Sequence, residues 1–115
     1  MNLQKKSFNS PDEVLTFPNI EVKLVKLEGT TLAISTFAPG WKWSESIKPV
    51  VKTESCQVLH TQYHVSGTLH VKMEDGTEME FGPGDVSVIP PGHDAWVVGD
   101  EPVVALDITG YAGKK

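Results

Sequence analysis

Two short stretches decide the fold: His60-Thr61-Gln62-Tyr63-His64-Val65-Ser66-Gly67 and Gly84-Asp85-Val86-Ser87-Val88-Ile89-Pro90-Pro91-Gly92. Each is a β-rich run that ends on residues able to turn the chain sharply, so each reads as a strand leading into a corner. Strand side chains alternate between faces. The first run therefore sets His60, Gln62 and His64 on one side and Thr61, Tyr63 and Val65 on the other. Three polar side chains in a row on one face predict a polar interior.

Working outward, Asp75-Gly76 is the strongest hairpin signal, because both central residues of the favoured two-residue turn need positive φ. Short β-rich runs at 20–27, 31–38, 56–66, 68–74, 77–81, 86–89, 95–98 and 103–108 are separated by glycine and proline breaks. Turns at this spacing predict an antiparallel sandwich or barrel. Ser10-Pro11-Asp12-Glu13 offers a cap, a proline and an acid in the order of a helix start, which predicts a helical turn to about Leu15. Residues 41–51 are mixed, and Pro49 interrupts any long strand there. The expected organisation is an N-terminal arm at 1–19, one folded domain at 20–109 and a polar tail at 110–115.

The chain has 115 residues, 39% hydrophobic and 22% charged, which is the composition of one globular domain. Its ten basic residues are all lysines, and with fifteen acids the net charge is -5. Without arginine no planar fork is available to grip phosphate, and the net charge repels polyanions, so neither nucleic acid nor an anionic membrane is an expected partner. Lys5 and Lys6 precede no apolar stretch of signal-peptide length, and no run approaches the roughly 18 residues of a membrane span. A cytoplasmic location is expected. A single cysteine, Cys56, agrees with a reducing compartment.

The stretch 39–98 resembles the cupin superfamily, small jelly-roll barrels whose lumen holds a metal, a small molecule or both. Pro39-Gly40 resembles the opening of the first cupin motif, His60 to Gly67 its closing half, and Gly84 to Gly92 the first half of the second motif. The resemblance implies an all-β cupin jelly-roll barrel (double-stranded β-helix) that pairs as a homodimer through its outer strands. Metal-binding members carry two histidines one residue apart, then a glutamate or histidine, then a histidine in the second motif. Counted forward from Gly40, the paired positions hold Ser46 and Lys48; counted back from His60, they hold Glu54 and Cys56. The Gly40 to His60 spacing exceeds the usual one, so an insertion lies between them and both registers stay open.

His60 occupies the third ligand position. The expected fourth histidine falls on Ala95, while His93 lies two residues earlier and shares its face. Two residues are roughly 6.6–7 Å along a strand, so a metal held by both His60 and His93 needs a bulge near Gly92 or a site displaced toward the barrel mouth. The candidate metal ligands are His60, His93, Cys56 and Glu54, for one divalent ion among Fe, Mn, Ni and Zn. The candidate ligand contacts are His60, Gln62, Lys48 and Trp43. Lys48 is the only basic side chain the first register brings to the lumen. Trp41 and Trp43 read as core or dimer packing, with an aromatic wall around a ligand as the alternative. His64 reads as a structural hydrogen-bond partner, and His70 as solvent-facing.

The leading functional reading is a small-molecule binder with an optional metal. Its competitors are a mononuclear metal-dependent enzyme of dioxygenase or isomerase type, and a barrel kept as a structural or regulatory module.

Overall fold

The computed structural model describes residues 2–108; the expected polar tail lies outside the described residues. The strands are β1 (Glu13–Phe17), β2 (Ile20–Leu27), β3 (Thr30–Phe37), β4 (His60–Ser66), β5 (Thr68–Met73), β6 (Glu78–Phe81), β7 (Val86–Ile89), β8 (His93–Val98) and β9 (Val103–Asp107). Six of them form an antiparallel sheet in the order β1-β2-β3-β9-β4-β7, and β6-β5-β8 form a second sheet. The two sheets close on one core, built from inward positions such as Val22, Leu24, Leu69, Val71 and Val103. This is the expected cupin jelly roll. Among the described residues no helix is long and apolar enough to cross a membrane.

The stretch read as a helical turn is instead strand β1, paired with β2 from Glu13 opposite Leu24 to Phe17 opposite Ile20. Long-range pairing overrides the local cap signal: the Asp12 carboxylate accepts the backbone N–H of Lys26 at 2.7 Å rather than capping its own segment. Alternation then turns Leu15 and Phe17 toward the core, which both residues pack against.

Helix does occur at 41–51, as α1 (Trp43–Ser46) and α2 (Lys48–Val51). Pro49 sits in the first turn of α2, where its missing N–H costs nothing, and Lys52 ends the helix at φ 61°. Trp41 and Trp43 thus do not share a strand face. Trp41 precedes α1 and Trp43 starts it, yet both are buried. Asp94 accepts the backbone N–H of Ser44 at 3.1 Å and so holds α1 against β8.

Gly67 makes the corner between the two sheets. Its φ is +77°, and a Cβ there would overlap the Pro102 carbonyl and lie 2.8 Å from Val103 Cα. Both neighbours are backbone. Gly67→Ala is therefore expected to cost at least about 2 kcal/mol, or a fall of roughly 10 °C in the thermal midpoint. Thermal unfolding followed by circular dichroism checks this, and Gly29→Ala, with positive φ but open space, is expected to cost clearly less.

Candidate functional site

His60 is the first residue of β4 and His93 the first of β8, so both stand at strand ends on inward faces. Cys56 reaches them by a backbone bridge. Its N–H donates to the His93 carbonyl at 2.7 Å, and its own carbonyl accepts the N–H of Gly92 at 2.7 Å. The α1–α2 turn takes up the insertion after Gly40, and the chain then returns to β8 at Cys56. Of the two sequence registers, the one counted back from His60 brings a donor to the histidines, and it does so through Cys56. The three residues meet where β4 and β8 begin.

Cys56, His60 and His93 are all buried, and each offers a ligand atom within 4.8 Å of the others. Their orientation is fixed from behind. His60 Nδ1–H donates to Asp107 Oδ2 at 2.6 Å, and His93 Nδ1–H donates to the Pro90 carbonyl at 2.7 Å. In the neutral rings both lone pairs then fall on Nε2. His60 Nε2 lies 3.9 Å from Cys56 Sγ, and the two rings meet edge-on with centroids 5.3 Å apart. Gln62 Nε2 donates to the same Asp107 oxygen at 3.3 Å.

Asp107 is wholly buried and was not singled out in the sequence. The available signal was an acid completing the inward row Val103, Ala105, Asp107 of the last strand, opposite Gln62 in the register.

These contacts move protons. Burial pushes the His60 imidazole down, but the Asp107 hydrogen bond and charge, helped by Cys56, outweigh it and raise its pKa to about 9. Burial likewise pushes the Cys56 thiol up, and the contacts with His60 and His93 overcome that and bring it down to about 6. An imidazolium and a thiolate are thus the stable pair near neutral pH.

The triad lines a cavity of about 330 Å³. The rest of the wall is mostly apolar, with Leu15 and Phe17 from β1 and Trp41, Trp43 and Ile47 around α1; Ser35, Thr53, Gln57 and Gln62 add polar side chains, and among the described residues no Lys, Asp or Glu lines it. The cavity wall is therefore mostly apolar with scattered polar side chains, and the row His60, Gln62 and His64 does not make the whole lumen polar as expected.

Trp43 lines the cavity as expected of a ligand contact, whereas Lys48 does not. Lys48 lies 3.7 Å from Glu54, whose side chain is 95% exposed; both sit outside the triad because α2 carries Lys48 to the surface. Ser46 is buried but donates to the Pro18 carbonyl at 2.6 Å. His64 is fully buried, bonded to Ser87 Oγ at 2.8 Å and stacked on Phe81, and burial lowers its pKa. His70 and Trp96 stack on each other on the outer side of the second sheet, where His70 pairs with Glu78 at 2.7 Å and Glu80 at 3.0 Å.

A jelly roll with donors at the lumen end of its two motif strands defines the cupin class. Residues 38–106 match the model of the EutQ-like cupin domain, and the chain belongs to that family. No curated protein matches it. Solved structures share the fold at low identity. One of unknown function from Rhizobium leguminosarum is 21% identical, covers 96% of this chain and 100% of its own, with a TM-score of 0.62. KdgF from Halomonas sp. is 20% identical over 87% of this chain and 88% of its own, TM-score 0.59. A putative ethanolamine utilization protein Q from Salmonella typhimurium is 18% identical over 77% and 67%, TM-score 0.53.

In chelated protein the two shifts have opposite pH dependence. His60, raised from 6.5 to about 9, contributes stability that is complete below 6.5 and lost as pH rises through about 9. Cys56, lowered from 9.0 to about 6, contributes stability that is complete above 9.0 and lost as pH falls through about 6. The thermal midpoint is expected to peak between these limits, with thiolate ultraviolet absorbance appearing near pH 6. Asp107→Asn is expected to raise the thiolate midpoint and cost about 3 kcal/mol at neutral pH. A wild-type thiol that titrates at its ordinary value would contradict the pair.

Proposed function

We propose that the lumen binds a small, largely apolar organic molecule, and that Cys56, His60 and His93 hold a single divalent metal against which that molecule docks. The observation that carries this is the convergence of one sulfur and two nitrogens within 4.8 Å on the wall of a largely apolar cavity. The donor set fits a metal on chemical grounds. Thiolate with two imidazoles suits Zn, Ni or Fe better than Mn, which prefers oxygen ligands. The carboxylate behind His60 and the carbonyl behind His93 are the partners that metal-bound histidines commonly have. When bound, such an ion supplies a Lewis acid that polarises a ligand oxygen or acidifies a bound water.

The residues of the chain have separable tasks in this reading. Asp107 orients His60 and balances its charge, Gln62 holds Asp107 in place, and Trp43 and Phe17 exclude water and shape the ligand's apolar body. With no Lys, Asp or Glu on its wall among the described residues, the cavity favours an uncharged molecule with one donor atom.

A second reading, a metal-free binding module, is favoured by one observation: Cys56 Sγ lies 3.9 Å from His60 Nε2, a contact through which a thiolate and an imidazolium would compensate each other's charge. One measurement separates the two. Protein purified without chelator is expected to carry close to one equivalent of metal by elemental analysis, and chelated protein to gain thermal stability on adding Zn or Ni. His60→Ala and His93→Ala are each expected to weaken metal binding about 10- to 100-fold or more, while Glu54→Ala leaves it unchanged. Sub-stoichiometric metal with no thermal response sinks the metal centre, and undiminished binding in His60→Ala moves it to other residues.

A further inference from the structure

A buried polar atom without a partner has given up a hydrogen bond to water and received none in return. Among the described residues four buried side-chain atoms are in this position: Trp41 Nε1, Gln62 Oε1, His64 Nδ1 and Asp107 Oδ1. Trp41 and Gln62 line the cavity, and His64 and Asp107 do not. Both lining residues are only 4% exposed, so the groups facing them decide what the cavity accepts.

Both are held in place. The backbone N–H of Trp41 donates to the Ala38 carbonyl at 3.0 Å, its own carbonyl accepts the N–H of Val97 at 3.0 Å, and Phe37 packs against its ring. Gln62 stands between two neighbouring strands, opposite Asp107 on β9 and Ser87 on β7. Its amide is also fixed by chemistry. An ionised carboxylate only accepts, so Nε2 is the atom that faces Asp107, at 3.3 Å, and Oε1 is left over.

The two unpaired atoms are of opposite kind. An indole N–H only donates, and the Gln62 carbonyl only accepts. A molecule that completes both therefore brings an acceptor to Trp41 and a donor to Gln62. Neutral groups meet this requirement. No Lys lines the cavity among the described residues to balance an anion, and burying a charged donor costs far more than burying a hydroxyl.

We propose that the lumen ligand is an uncharged hydroxy-carbonyl compound with an apolar body, whose carbonyl oxygen accepts from Trp41 Nε1–H and whose hydroxyl donates to Gln62 Oε1. This rests on the lumen being the binding site, and not on the metal: the hydroxyl oxygen keeps its lone pairs, so it serves an ion at the triad or does without one. In solution water competes for both groups, and a molecule that displaces it without reproducing its hydrogen bonds loses affinity. A few fixed polar atoms in a largely apolar wall thus set both the orientation and the selectivity of the ligand.

Four probes on one skeleton test it: 2-hydroxycyclohexanone, cyclohexanone, cyclohexanol and cyclohexane, each titrated into the 15N-labelled full chain, as purified and after chelation, and followed by NMR. The hydroxyketone is expected to bind tightest, with cyclohexanone and cyclohexanol each about 10-fold weaker. It is also expected to move the Trp41 indole N–H signal, assigned by its loss in Trp41→Phe, downfield, which cyclohexane does not. In Trp41→Phe the advantage of the hydroxyketone over cyclohexanol disappears, and in Gln62→Met its advantage over cyclohexanone disappears. Circular dichroism checks folding, and where a variant does not fold, the wild-type ranking and indole signal decide. Equal affinity for all four probes overturns the proposal and leaves the lumen reading standing, whereas no binding of any probe overturns both. A ranking that vanishes on chelation, or that persists in the folded variants, assigns the oxygens to the metal or to other residues and likewise overturns the proposal.

Discussion

The site depends on one buried carboxylate. Asp107 has no solvent exposure, and an ion removed from water costs several kcal/mol unless a counter-charge and hydrogen bonds offset it. His60 supplies the counter-charge at 2.6 Å and Gln62 a further hydrogen bond. That requirement fixes the His60 ring. With Nδ1 committed to Asp107, Nε2 is turned toward Cys56, whose thiol becomes a thiolate beside the imidazolium. Cys56 is in turn held to His93 by main-chain hydrogen bonds that no side-chain substitution removes directly. Each group's position follows from the one behind it, and the sequence of dependence starts at the last strand of the barrel.

The aromatic part of the cavity wall answers a different constraint. Trp41, just before α1, and Trp43, its first residue, line the cavity, and Phe37 packs edge-on against Trp41 at 4.7 Å. Aromatic side chains bury large area with few rotatable bonds, so they define a cavity without filling it flexibly. The lumen wall thus combines the Cys56, His60 and His93 cluster with a largely apolar remainder.

The corners of the barrel were legible because turn chemistry is local. Gly67, Asp75-Gly76 and Pro90-Pro91-Gly92 stop their strands whatever lies across the fold, and strand alternation alone placed His60 and Gln62 on the inner face and put His93 on the face of Ala95. What failed was non-local. The Ser10 to Glu13 cap signal lost to pairing with β2, since a single turn offers fewer hydrogen bonds than a five-residue ladder. Helices of four residues leave no period to detect, so 41–51 stayed unread and the choice between Ser46 with Lys48 and Glu54 with Cys56 stayed open. Asp107 escaped because its role exists only when β9 lies beside β4, a pairing 45 residues apart in sequence for Gln62 and Asp107.

β4 shows how tightly the two faces of the molecule are coupled. Its odd residues Thr61, Tyr63 and Val65 face outward and its even residues His60, Gln62 and His64 inward, so a slip of one residue would carry the histidines to the surface and bury Tyr63 in the lumen. Two contacts oppose that slip from opposite ends. At the start of the strand the Asp107 carboxylate accepts only from the correct inward residues. At its end the register shifts between His64 and Ser66, and Gly67 passes against Pro102 where no side chain fits. A strand pinned at both ends can carry an apolar outer face without losing its alignment, because alignment does not then depend on solvating that face. The charge inside the barrel and the absence of charge outside it are therefore two consequences of one fixed register.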